Sequence, residues 1–184
     1  DMDPSKPQQC DPEALYKNIE DKKATFIAGS PAIWERLADY CLQNKLKINS
    51  VKRVVMFGAP VSVKLHKKFS KILVNGTTYT PYGATEALPI ASISGEYILK
   101  NTWLKTTNGE GVCVGKPMLG IKLKVIQATD DLIDNIKHIK VMEPYEIGEI
   151  IVSGPNVTSA YYQNSQATFN LSLIHISEPT RPVL

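Results

Sequence analysis

Three helix-start signals, each followed or preceded by a short β-rich run, constrain this chain more than any other feature. Asp11-Pro12-Glu13 places an N-cap acid, a first-turn proline and a second acid in order, and Ala14, Leu15 and Ile19 continue it at near-helical spacing as far as Asp21-Lys22-Lys23. Thr25-Phe26-Ile27-Ala28 then reads as a short buried strand. Ser30-Pro31 repeats the helix start, with Ile33, Leu37 and Cys41 on the apolar side to about Leu42. Arg53 to Phe57 is a second strand, and Ser62 caps a third helix. Leu65, Phe69, Ile72 and Leu73 form its apolar face, and Lys64, Lys67, Lys68 and Lys71 are assigned to water. Thr77 to Thr80 is a third strand. Strands alternating with helices imply right-handed crossovers and a parallel sheet.

After Tyr82 the pattern changes. The stretch to Gly120 is rich in Gly, Thr and Asn and carries no sustained helical period, whereas Ile121–Ile126 and Glu149–Ser153 read as strands. The fold class expected is α/β: a parallel sheet with flanking helices, followed by a mostly β subdomain. The divisions are 1–120 for a partial nucleotide-binding α/β part, 121–170 for a partial β part, and 171–184 for a tail. That tail is set aside, because one codon choice for Leu171 to Arg181 (LSLIHISEPTR) spells a transposase end and adaptor used to build sequencing libraries. His175 then drops out of every role. At the other end, Asp1-Met2-Asp3-Pro4 reads like a loop in progress, so the natural N-terminus is expected upstream.

Composition closes off several functions. With 43% hydrophobic and 21% charged residues the chain is built like a globular protein. A net charge of +3 is too small to indicate nucleic acid as a partner. No apolar run is long enough for a transmembrane segment. Cys10, Cys41 and Cys113 are odd in number and widely spaced. That fits a reducing, cytoplasmic location and neither a disulfide framework nor a zinc site.

Ligands in open parallel sheets bind beyond the carboxyl ends of the strands. Two loops leave strands at that edge: Phe57-Gly58-Ala59-Pro60, and Thr80-Pro81-Tyr82-Gly83-Ala84-Thr85-Glu86. Glycine allows close backbone approach, tyrosine offers a flat face to a base, threonine can donate to a phosphate, and a carboxylate can hold Mg²⁺. Taken singly these residues are ordinary: a turn glycine, a partly buried aromatic, a helix-start or surface acid.

Tyr82-Gly83-Ala84-Thr85-Glu86 resembles the Y-G-x-T-E signature of the adenylate-forming superfamily. Gly58-Ala59-Pro60 resembles its G-A-P loop, and Gly115-Lys116-Pro117 with Gly120 resembles its V-G-x-P-x-x-G segment. Gly148-Glu149-Ile150 with Gly154 and Tyr161 or Tyr162 is similar to its G-E-[IL] segment and the G-Y that follows. Within the superfamily, Thr80 to Pro89, Gly111 to Gly115 and Gly154 to Thr158 most resemble the olefin-pathway β-lactone synthetases.

The resemblance implies a fragment of the large N-terminal domain of an AMP-forming ligase, with ATP and Mg²⁺ as cofactors and a long-chain acyl substrate. Other enzymes of the same lipid pathway are the implied partners. It implies adenine contacts for Gly58, Ala59, Pro60, Tyr82 and Gly83, phosphate binding for Thr85, and Mg²⁺ binding for Glu86; Thr85 and Glu86 are the catalytic candidates. The family's phosphate loop, ribose-binding aspartate and catalytic lysine match nothing here, so the chain alone is expected to be inactive. His66 and His138 are expected at the surface, and Lys137 to Lys140 in a loop. A fatty acyl-CoA synthetase and a non-catalytic nucleotide-binding remnant are the alternatives.

Overall fold

The computed structural model describes residues 6–129, 139–171 and 175–180, so His138 and Lys137 lie outside the described residues. Chain contacts divide it into two units, Asp1–Thr80 with Ile93–Trp103, and Pro81–Ser92 with Leu104–Leu184.

In the first unit, α1 (Pro12–Asp21) begins where Asp11 accepts from the amides of Glu13 and Ala14, satisfying donors that the first helical turn leaves open. Strand β1 (Phe26–Gly29) leads to α2 (Pro31–Gln43), then β2 (Arg53–Met56), α3 (Val63–Ile72) and the start of β3 (Thr77–Ala84). Ser62 caps α3 by accepting from Leu65 N. Ser30 holds the equivalent place before α2, but its hydroxyl is buried without a partner among the described residues, and Pro31 supplies the start signal there. β1 pairs in parallel with β2, and β2 with β3, as the alternating pattern requires. The core lies between this sheet and the helices, around Trp34, Leu37, Cys41, Val54, Phe69 and Ile72. β1 is not the buried strand expected: it ends the strand order, and Phe26 is exposed.

Two assignments on α3 are corrected. His66 is buried, 2% exposed, because it falls on the Leu65–Phe69 face. Lys68 is not a solvated lysine: it pairs with Glu35 and, at 2.5 Å, with Asp39, both on α2.

The larger correction concerns residues 82–120. β3 continues through Tyr82 to Ala84 and turns at Thr85-Glu86 into β4 (Ala87–Ser94), so the sheet is mixed, not wholly parallel. The strand order is β1-β2-β3-β4-β5, where β5 (Lys116–Pro117) runs antiparallel to β4. A helical stretch follows where none was expected: α4 (Gly95–Tyr97), a π-helical turn (Ile98–Thr102) and α5 (Trp103–Thr107). Ser94 caps it on Tyr97 N, and Glu96 and Lys100 pair along it at 2.7 Å. Those local bonds compensate for a weak apolar period.

The second unit also holds a three-stranded sheet. β6 (Lys122–Ile126) pairs antiparallel with β7 (Gly148–Ser153), and β7 with β8 (His175–Thr180), with α6 (Ser165–Leu171) between β7 and β8 in sequence. β8 falls in the tail that the sequence reading set aside. Its placement has a simple physical reason: the open edge of β7 presents unpaired backbone groups to any segment able to extend.

Candidate functional site

The expected site residues fall in both units, and each group is built separately. In the first unit, Phe57 follows the carboxyl end of β2, and its amide donates to Gly29 O at 3.2 Å. Gly58 then turns the chain at φ +84, a conformation that costs a residue with a Cβ but not glycine. Gly58, Ala59 and Pro60 are all exposed. Beneath this edge the Trp34 indole donates to Gly29 O at 3.0 Å and Val55 O at 3.3 Å, tying the ends of β1 and β2 together. The sequence singled out no role for Trp34, since a tryptophan in an amphipathic helix reads as core.

In the second unit, Tyr82, Gly83 and Ala84 are half-buried strand residues, and Thr85 and Glu86 form the turn between β3 and β4. The turn leaves Thr85 exposed and Glu86 half-buried. A Cβ at Gly83 would come within 2.4 Å of Ala87 O, so the hairpin's own backbone demands glycine here.

Residues 154–161 lie along this hairpin. Thr158 N donates to Glu86 O at 2.7 Å, Val157 bridges Ala87 antiparallel, and Asn156 Nδ2 donates to Pro89 O at 2.6 Å. At the end of this segment the Tyr161 hydroxyl donates to Glu86 Oε1 at 2.5 Å. That bond, and then the backbone amide of Glu86, hold the carboxyl below its ordinary pKa, while the same bond raises that of the Tyr161 phenol. Glu86 is therefore an ionised acceptor. The sequence assigns Tyr161 no role: its place after Gly154 in the G-Y segment is visible there, its partner 75 positions away is not.

Among the described residues no cluster of three or more His, Cys, Asp or Glu could hold a metal alone. A single ionised carboxylate fits a Mg²⁺ carried by a nucleotide, which takes one or two carboxylates and completes its shell with phosphate oxygens and water. A separate cavity of about 280 Å³ in the first unit, lined by His66, Thr78, Gly95 and Lys100 among others, contains none of the expected site residues. No helix among the described residues is long and apolar enough to cross a membrane.

Residues 2–162 match the family described as AMP-binding enzyme. The chain is 34% identical over 174 residues to an olefin beta-lactone synthetase of Xanthomonas campestris pv. campestris, which covers 94% of this chain and 30% of that protein. It is 25% identical to a long-chain-fatty-acid–CoA ligase of Thermus thermophilus, over 87% of this chain and 28% of the other. Among solved structures, a long-chain-fatty-acid-CoA ligase of Archaeoglobus fulgidus shares the fold with a TM-score of 0.63 at 23% identity, covering 86% of this chain and 30% of its own. The chain thus spans less than a third of the length of these relatives.

Proposed function

Because the chain belongs to the AMP-binding enzyme family, we propose that it is part of an ATP-dependent acyl-adenylating enzyme that converts a long-chain β-hydroxy acid to a β-lactone, releasing AMP and pyrophosphate. The observation that carries this reading is the Thr85-Glu86 turn between β3 and β4, where the Glu86 carboxylate is held ionised by the Tyr161 hydroxyl.

Two anions must meet in the first step. The substrate carboxylate attacks the α-phosphorus of ATP, an acyl–phosphate bond forms, and pyrophosphate leaves. Fixed donors and positive charge offset the repulsion. In this reading the Thr85 hydroxyl donates to a phosphate oxygen and Glu86 holds Mg²⁺. The metal when bound would neutralise phosphate charge. Tyr82 presents its ring to adenine. In the second step the substrate's β-hydroxyl oxygen attacks its own acyl carbon, AMP leaves, and the hydroxyl proton passes to solvent. No coenzyme A is consumed.

The similarity to an olefin beta-lactone synthetase supports the lactone outcome. The similarity to a long-chain-fatty-acid–CoA ligase supports the second reading, transfer of the acyl group to coenzyme A. AMP release by the full-length parent, with a long-chain β-hydroxy acid or the plain acid, with and without coenzyme A, separates them. Turnover of the β-hydroxy acid without coenzyme A is expected. Turnover of the plain acid only when coenzyme A is present rejects the lactone.

A further inference from the structure

We infer that Tyr161 is a positioning residue for the nucleotide's metal: its hydroxyl holds Oε1 of Glu86 and so orients the carboxylate that would bind the cation. The inference rests on the reading of Glu86 as the residue that holds Mg²⁺.

The geometry is built, not incidental. Tyr161 reaches Glu86 from 75 residues away, and the O–H···O separation of 2.5 Å is that of a charge-assisted bond. The segment carrying it is fixed along its length. Asn156 is tied to Pro89 O, Val157 is bridged to Ala87, and Thr158 N is bonded to Glu86 O, so the backbone and the side chain of Glu86 are held by the same strap. Beyond Tyr161 the strap is anchored again. Tyr161 N donates to Thr168 Oγ1 at 2.9 Å, and Asn164 Oδ1 accepts from Ala167 N at 2.9 Å at the start of α6.

A glutamate at a turn tip has three rotatable side-chain bonds, and a metal site needs it in one orientation. Tyr161 is 38% exposed, so its hydroxyl contributes little to the core. Its consequence is to restrict the carboxylate. Hydrogen-bonded partners of ligating carboxylates set their orientation, and their loss typically lowers metal affinity by about 10- to 100-fold.

The test uses Tyr161→Phe and Glu86→Gln in the full-length parent. Calorimetry measures binding of ATP with Mn²⁺ and of ATP in EDTA, and Mg²⁺ titrations of pyrophosphate release give the metal requirement. Tyr161→Phe is expected to raise the half-saturating Mg²⁺ and to weaken Mn²⁺-dependent ATP binding about 10-fold or more. Metal-free ATP binding and the melting temperature should hold. A Mg²⁺ requirement unchanged within about twofold, while Glu86→Gln changes it, overturns the role of Tyr161 and leaves that of Glu86 standing. Equal weakening of metal-free and metal-bound ATP also overturns it, since Tyr161 would then act on the nucleotide or the fold. If Glu86→Gln itself leaves the metal requirement unchanged, the metal reading of Glu86 fails and this inference with it.

Discussion

The Nδ1 atom of His66 lies 2.7 Å from the Thr78 hydroxyl, a buried bond joining α3 to β3, and Nε2 on the far side of the ring has no partner among the described residues. Burial pushes the imidazole pKa down to about 4, so the folded protein holds His66 neutral.

A pH dependence follows. Between pH 6.5 and about 4 the unfolded chain binds a proton at this histidine and the folded chain does not. Stability contributed by the neutral ring is complete above pH 6.5, falls as pH drops towards 4, and levels off below. The loss is at most roughly 3 kcal/mol. Urea unfolding at several pH values, compared with His66→Leu to subtract the carboxylates, should show this window flattened in the variant.

Two glycines should respond for opposite reasons. A Cβ at Gly95 would lie 1.9 Å from Thr78 Oγ1 and 2.6 Å from His66 Nδ1, both buried and bonded to each other. Gly95→Ala should cost about 3 kcal/mol or more by overpacking. At Gly58 there is open space but φ is +84, so Gly58→Ala should cost only about 1–2 kcal/mol of backbone strain. Denaturant midpoints of the two variants give the ranking, and the reverse order would refute it.

Phe69 is fully buried between α3 and the sheet. Phe69→Ala should lower unfolding stability by about 3–5 kcal/mol, measured by denaturant titration. A loss below about 1 kcal/mol would mean that this core is not packed as described.

Glu86→Gln in the full-length parent should reduce ATP-dependent turnover about 100-fold or more while the circular dichroism spectrum and melting temperature hold. Glutamine keeps the shape of the side chain and removes its charge. Retained turnover would remove Glu86 from the catalytic candidates.

The caps at Asp11 and Ser62, the apolar face of α3, the parallel β1-β2-β3 order and the signature residues Tyr82 to Glu86 are all legible in the amino-acid sequence. These are legible because capping, periodicity and a motif each live within a few positions of the chain. Family membership was readable for the same reason. The remaining features depend on partners distant in the chain. His66 reads as one more polar residue on a lysine-rich helix until Thr78 and Gly95 close over it. Lys68 reads as solvated until Glu35 and Asp39 of α2 meet it. The strand β4 was hidden because Pro89 and the small residues around it give no clean alternation, and pairing with β5 supplies what local propensity lacks. Tyr161 shows the limit most clearly: no spacing rule connects it to Glu86, and the ties at Asn156, Val157 and Thr158 bring the two together.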